Sequence, residues 1–185
     1  MVNKPKPVVA IFGGSFDPPH KGHQAIVQKT IENLDIDKLI VLPAYLNPFK
    51  KSSLANAKQR LKWCHELFDS IENVLVSDYE IKKGKSITTS QSVKHFNRES
   101  FVKYFVIGSD NLLTLIKWHK FEWLNNNLIW VVFTRKGHAI HTNKLKECIV
   151  LELDEVANST EIRDNKSLKY IDNKIKHSVK QTIKG

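Results

Sequence analysis

The stretch Val8-Val9-Ala10-Ile11-Phe12-Gly13-Gly14-Ser15-Phe16-Asp17-Pro18-Pro19-His20-Lys21-Gly22-His23 decides how this chain is read. Its first five residues form an apolar run of strand length. From about Gly22 to Leu34 the apolar residues Val27, Ile31 and Leu34 recur at helical spacing. Gly13 and Gly14 then fall in a tight turn between a buried strand and a helix. Such a turn offers bare backbone N–H groups and the positive end of a helix, where an anion can sit. His20 and His23, three apart, share one side of the helix's first turn. Imidazoles there can bind phosphate oxygens and carry positive charge as charge builds on them. Each piece also has a plainer reading. A glycine pair can be only a turn, Pro18-Pro19 can simply start a helix, and two histidines can be core residues or half of a metal site. The order in which they are joined is the specific signal.

Outward from this stretch, strands and helices alternate. Lys38 to Leu42, Asn73 to Val76, Phe101 to Ile107, Leu128 to Phe133 and Cys148 to Leu153 read as further strands. Helical spacing runs from about Ala55 to Ser70 on Leu61, Cys64 and Phe68, and from Thr89 to about Glu99 on Val93 and Phe96. Leu112 to Leu124 reads as helical with a break near Trp118, Lys82-Lys83-Gly84-Lys85 as a turn, and Pro43 to Ser53 as a loop. Leu168, Ile171, Ile175, Val179 and Ile183 place a terminal helix in the tail from Ser167. The pattern predicts an α/β fold: a Rossmann-like, doubly wound, mostly parallel sheet with helices on both faces and a C-terminal helical segment. The 185 residues fit one domain over 1–185, with a core of about 8–157 and the helical segment at about 158–185. In such sheets ligands bind beyond the carboxyl ends of the strands, at the point where strand order switches.

Two other segments follow strands and carry chemistry. In Asn158-Ser159-Thr160-Glu161-Ile162-Arg163, Asn158 is a good N-cap and Glu161 can complete a capping box. Ser159 and Thr160 would offer hydroxyls and free N–H groups in the first turn, and Arg163 would reach the same anion. A well-capped surface helix has the same pattern. In Ile107-Gly108-Ser109-Asp110 through Lys117-Trp118-His119, Gly108 admits a ligand close to the backbone and Asp110 can accept ribose hydroxyls. Trp118 offers a flat face to an aromatic ring, or it packs in the core. His138 and His141 have a metal-like spacing without further ligands nearby, and read as loop histidines.

The G-x-F-D-P-x-H-x-G-H pattern resembles that of the nucleotidyltransferases related to the HIGH-motif class I tRNA synthetases. The segment 158–163 is similar to that family's second phosphate motif, with Ala157 and Asn158 where Ile and Ser are common. No Lys-Met-Ser-Lys-Ser-like loop accompanies it. The 107–119 run resembles the G-x-D-x-L…K-W segment of bacterial nicotinate-nucleotide adenylyltransferases. Pro43…Pro48-Phe49-Lys50, Gln59-Arg60-Leu61 and Thr134-Arg135-Lys136-Gly137 are similar as well, with Phe49 in place of the usual histidine. Ser86-Ile87-Thr88-Thr89 corresponds to an S-Y-T element with its register open by one residue. Altogether the resemblance runs from about Val8 to Arg163.

It implies adenylyl transfer from ATP to nicotinate mononucleotide, with Mg²⁺ arriving on ATP. His20, His23 and Arg163 would be catalytic. Gly13, Gly14, Ser15, Phe16, Gly108, Asp110, Ser159 and Thr160 would bind ATP. Thr88, Thr89, Trp118, His119, Arg135 and Lys50 would bind the mononucleotide. No metal would be held by the protein itself. Related acceptors, phosphopantetheine or nicotinamide mononucleotide, and cytidylyl transfer are the rivals within the class. Outside it stand a basic RNA-binding module and a nucleotide sensor without turnover.

The formal charge of +10 favours anionic partners. The lysines are spread along the chain, which speaks for nucleotides over nucleic acid. The longest apolar run, Leu128 to Phe133, is far too short to span a bilayer, and the five apolar residues after Lys4 and Lys6 make no export signal. Cys64 and Cys148 read as reduced core thiols. A cytoplasmic protein is therefore expected, as a monomer or a homo-oligomer.

Overall fold

A strand buried on both faces needs neighbours on both edges, and the apolar runs find them in a single parallel sheet. In this computed structural model, which describes residues 5–46, 53–135, 140–153, 162 and 167–184, with the backbone alone for Arg135 and Lys184, the strands are β1 (Val8–Gly14), β2 (Lys38–Pro43), β3 (Val74–Val76), β4 (Phe101–Gly108), β5 (Ile129–Arg135) and β6 (Cys148–Leu153). Their order is β3-β2-β1-β4-β5-β6, and every neighbouring pair is parallel. The sheet is thus parallel throughout, where the sequence suggested mostly parallel. The order reverses between β1 and β4, whose ends lie side by side with Phe12 opposite Val106.

Alternation along the strands splits the core into two layers. Ala10, Phe12, Leu39, Val41, Tyr104 and Val106 face one layer, which α1 (Lys21–Asn33), α2 (Ala57–Phe68) and α6 (Asn173–Lys184) cover. Val9, Ile11, Ile40, Leu42, Phe105 and Ile107 face the other, covered by α4 (Thr89–Phe96) and α5 (Phe121–Asn127). The doubly wound arrangement expected from the sequence is present. Among the described residues, no helix is long and apolar enough to cross a membrane. Cys64 and Cys148 are free thiols, and burial pushes the Cys64 thiol well above its ordinary pKa.

Four local expectations need correction. Gly13 and Gly14 are not in a turn: β1 continues through them, opposite Leu42 and Pro43. Aromatic packing requires their small size, since a Cβ on Gly13 would lie 3.2 Å from the Phe105 ring and one on Gly14 3.1 Å from the Phe16 ring. Lys82 and Lys83 end a short helix, α3 (Tyr79–Lys83), and Gly84 stops it in the left-handed conformation (φ 63°) that glycine adopts freely. The 112–124 region is two 3₁₀ turns, Ser109–Leu113 and Leu115–Lys117, followed by α5, so the break falls at Trp118–Lys120 as the sequence suggested but little of the first half is α-helical. The tail helix starts at Asn173, because Asp172 Oδ1 accepts the Lys174 N–H (2.9 Å) and sets the cap there.

The tail packs on the core through Leu168, Ile171, Ile175, Val179 and Ile183. Ser178 Oγ accepts both Trp63 Nε1–H (3.0 Å) and Gln59 Nε2–H (3.2 Å) from α2. Trp63 is wholly buried, so it has no water to turn to. Ser178→Ala is therefore expected to cost about 1–3 kcal/mol, the scale of an orphaned buried donor. Urea unfolding of the two proteins measures it, and an unchanged midpoint would show that the bond carries no stability.

Candidate active site

The turn after β1 is Ser15 to His20. Phe16 holds a left-handed backbone (φ 48°), uncommon for a bulky residue. Its ring is buried and packs edge-on to Phe12 (centroids 5.3 Å apart) and against His23 (4.9 Å). Asp17, also buried, accepts the Leu54 and Ala55 N–H groups at 2.8 and 3.0 Å. It ties the turn to the segment that leads into α2.

His20 is the N-cap of α1, one position before the first helical residue, and its ring lies 3.8 Å from that of His23. His23 reaches back so that its Nδ1 accepts the His20 N–H at 3.2 Å. An imidazole does here what glutamate does in an ordinary capping box. Burial first, and the neighbouring His20 second, hold the His23 pKa well below its ordinary value. His23 is therefore neutral near pH 7. With Nδ1 accepting, the proton sits on Nε2, which becomes a fixed hydrogen-bond donor. Of the two imidazoles that the sequence places together, His23 is thus a neutral donor.

At the end of β4 the Gly108 turn carries Asp110. A Cβ on Gly108 would lie 2.6 Å from Asp110 Oδ1, so glycine is what lets this carboxylate fold back over the strand end. Asp110 is exposed, with Asn111 Nδ2 at 3.4 Å. Beyond it, Trp118 is half-buried and edge-on to Phe105 and Trp130, with centroids 6.1 and 6.2 Å away. Its Nε1–H is buried and has no acceptor among the described residues. Trp118 thus packs on the second core layer, the plainer of the two sequence readings, while remaining half-buried.

His119 is exposed beside Trp118, and its Nδ1 lies 3.1 Å from Ser90 Oγ. Ser90 Oγ in turn lies 3.1 Å from Thr88 Oγ1. Thr88 is the N-cap of α4 and Gln91 Oε1 accepts its N–H at 3.0 Å. The first-turn donors left for an anion are the N–H groups of Thr89 and Ser90. Thr88, Thr89 and His119 are thereby brought together, with Ser90 as a member that the sequence reading does not name.

Ser159, Thr160, Arg163 and Lys50 lie outside the described residues, as do Phe49 and His138. Arg135 is the last residue of β5, opposite Leu153. Of the 158–163 segment, Ile162 is described. It is wholly buried in the same apolar cluster as Phe12 and Phe16. Among the described residues, no group of three His, Cys, Asp or Glu side chains could hold a metal ion.

Two buried ionisable residues escape the sequence reading. Arg60, 1% exposed on α2, donates through Nη1 to Ser15 O (2.6 Å) and Ala44 O (2.7 Å), through Nη2 to Tyr45 O (2.6 Å) and through Nε to Ala55 O (3.2 Å). Its signal is present in the sequence, as a charge at the same helical phase as Cys64 and Phe68. Glu80 on α3 accepts Ser92 Oγ–H at 2.9 Å and a backbone bond from Tyr45, and burial pushes its carboxyl up to about 7.

The profile of the Cytidylyltransferase-like family matches residues 11–165. A Sulfurovum protein named as a probable nicotinate-nucleotide adenylyltransferase is 65% identical over 184 residues, covering 100% of this chain and 98% of the relative. Another of that name from a Nitratiruptor species is 44% identical over 165 residues, 88% of this chain and 91% of the relative. The fold matches the Plasmodium falciparum nicotinic acid mononucleotide adenylyltransferase complexed with NaAD, with a TM-score of 0.72 and 20% identity over 95% of this chain and 94% of that one.

The buried ionisable groups make stability depend on pH. Below His23's ordinary value of 6.5 the unfolded chain takes up a proton that the folded chain refuses. Its contribution is complete above that pH and is lost as pH falls toward the depressed folded value. Glu80 has the opposite sign, being raised from 4.5 to about 7, so its contribution is complete below 4.5 and is lost as pH rises through 7. The difference between the wild type and His23→Gln isolates the first effect. From about pH 6.5 downward the variant should gain on the wild type by up to ~1.4 kcal/mol per pH unit. Urea titrations at several pH values test this, and a pH-independent difference would contradict it.

Proposed function

The chain belongs to the Cytidylyltransferase-like family and, within it, to the nicotinate-nucleotide adenylyltransferases, and from that premise we propose that it transfers AMP from ATP to nicotinate mononucleotide, giving deamido-NAD and pyrophosphate in NAD biosynthesis. The observation that carries this reading is the placement of two clusters at the switch point of the sheet. The imidazole pair follows β1, the Thr88–Ser90–His119 group stands beside the turns that follow β4, and β1 and β4 are neighbours.

An oxygen of the mononucleotide's phosphate attacks the α-phosphorus of ATP in line. The bond from that phosphorus to the oxygen bridging to the β-phosphate breaks, and pyrophosphate leaves with the electron pair. No nucleophile from the protein is needed, so catalysis rests on positioning and on stabilising charge. Neutral His23 donates from Nε2 to a phosphate oxygen, and His20 stands beside it at the N-terminus of α1. Gly13 and Gly14 let the strand end stay narrow there, with Ser15 and Phe16 lining the turn. Gly108 and Asp110 receive the nucleoside, Asp110 accepting ribose hydroxyls. By the family resemblance, Ser159, Thr160 and Arg163 hold the β- and γ-phosphates, and Lys50 and Arg135 meet the mononucleotide's phosphate.

The nicotinate carboxylate is an anion, and the open N–H groups of Thr89 and Ser90, with Thr88 and His119 alongside, supply donors for it. Trp118 stacks on the pyridine ring. The donors around the turn are imidazoles and N–H groups, which suit phosphate oxygens rather than a hard cation. Mg²⁺ would therefore come bound to ATP, held mainly by phosphate and water, and would supply charge neutralisation on the leaving group. A cytoplasmic location, with ATP and the mononucleotide as partners, belongs to the same reading.

Pyrophosphate release with ATP and each acceptor in turn tests it. Nicotinate mononucleotide should support turnover well above nicotinamide mononucleotide and phosphopantetheine, and release with phosphopantetheine alone would overturn the assignment. His20→Ala should depress turnover by roughly 100-fold, the scale of one lost charge-stabilising donor; a folded variant with full activity removes His20 from the chemistry. Trp118→Ala should raise the KM for the mononucleotide by roughly tenfold, the scale of one lost aromatic stack, with the KM for ATP nearly unchanged. An unaltered mononucleotide KM would take Trp118 out of the site.

A further inference from the structure

Between the two proposed substrate sites runs the short segment Ala44–Leu46, which leaves the end of β2. Its backbone is held at every residue. Ala44 N–H donates to Gly14 O at 2.9 Å. Arg60 takes the Ala44 and Tyr45 carbonyls at 2.7 and 2.6 Å, and Glu80 accepts the backbone bond from Tyr45. Ser86 Oγ–H donates to Leu46 O at 2.8 Å. The same Arg60 nitrogen that holds Ala44 O also holds Ser15 O at 2.6 Å, in the turn that bears the imidazole pair. The carboxylate of Glu80 holds Ser92 of α4 at 2.9 Å, two residues on from Ser90.

We propose that Arg60 and Glu80 are positioning residues that grip this segment, one by its carbonyls and the other by the Tyr45 N–H, and so fix the spacing between the triphosphate site and the mononucleotide site. The inference rests on the adenylyltransferase reading above. Neither residue touches substrate in it. Arg60 sets Ser15, and through it the turn to His20; Glu80 sets Ser92, and through it the first turn of α4. An in-line attack depends on the separation of the two substrates, so a change at one end is felt at the other. Arginine suits the task because its planar fork fixes several carbonyls at set angles, which the single ammonium of lysine does not do.

The test is a cross-site one. In Arg60→Lys, which keeps the charge, the KM for the mononucleotide should rise at least threefold along with that for ATP. In Glu80→Gln, which is nearly isosteric, the KM for ATP should rise at least threefold, although Glu80 stands on the side of α4. The double variant should lose less than the product of the two single losses in kcat/KM. A residue that only supports folding lowers the active fraction, and with it the apparent kcat, while leaving both Michaelis constants alone. Both KM values within twofold of wild type in the folded variants would overturn the inference. If Arg60→Lys fails to fold, the ATP KM of Glu80→Gln decides it. If the wild type releases no pyrophosphate with any acceptor, the adenylyltransferase reading has failed instead, and the affinity of Glu80→Gln for ATP, measured calorimetrically, then decides the positioning role in the same sense.

Discussion

One buried cation holds the floor of the site together. Arg60 lies 1% exposed beneath the turn after β1 and shares its donors among the carbonyls of Ser15, Ala44, Tyr45 and Ala55. Burying an isolated guanidinium would cost several kcal/mol. Four carbonyl partners and the neighbouring Asp17 carboxylate, which also accepts the Leu54 and Ala55 N–H groups, offset that cost. Loops that elsewhere would be soft are thereby joined into one rigid unit around a single planar group.

On the adenylyltransferase reading proposed above, that rigidity is how a site for polyanions would work with so few fixed charges among its described side chains. The donors at the turn are imidazole and N–H groups held in place before any phosphate arrives. Neutral His23 is the clearest case. Its burial and its neighbour keep it uncharged, and its bond from the His20 N–H fixes which nitrogen carries the proton. A preset donor needs no reorganisation as charge moves to the phosphate oxygens, which is where such sites gain their rate.

Much of this is legible in the chain itself. Apolar runs mark the strands and period-3.6 spacing most helices, and the order strand, glycine pair, histidine pair marks the passage from β1 to α1. Other features are hidden for physical reasons. Gly13 and Gly14 resemble a turn because glycine is permissive; their actual constraint is the approach of the Phe105 and Phe16 rings, one from across the sheet and one from the turn. Ser109 to Lys117 carries apolar residues at near-helical spacing, but the chain closes there in 3₁₀ turns, a tertiary outcome that local propensity does not encode. Apolar spacing finds Leu61, Cys64 and Phe68, of which Leu61 packs on the core half-buried, and misses Arg60, which is buried on the same helix. Admitting a charge to an apolar stripe is what finds it. Glu80 gives no such sign, because its burial depends on Tyr45 and Ser92, which lie far from it in sequence.

The tail helix bears on when the site comes into being. Lys21 N–H, at the first turn of α1, donates to Tyr170 O at 2.9 Å, and Gln24 Nε2–H donates to Asp172 Oδ2 at 3.1 Å. The histidine-bearing helix therefore leaves the ribosome well before the residues that seat it. Its seat is made by residues synthesised about 150 positions later, which at typical translation speeds is a delay of roughly ten seconds or more. Until then the nascent chain holds the His20–His23 turn without its final anchorage, and the donors proposed to meet a nucleotide are not yet aligned.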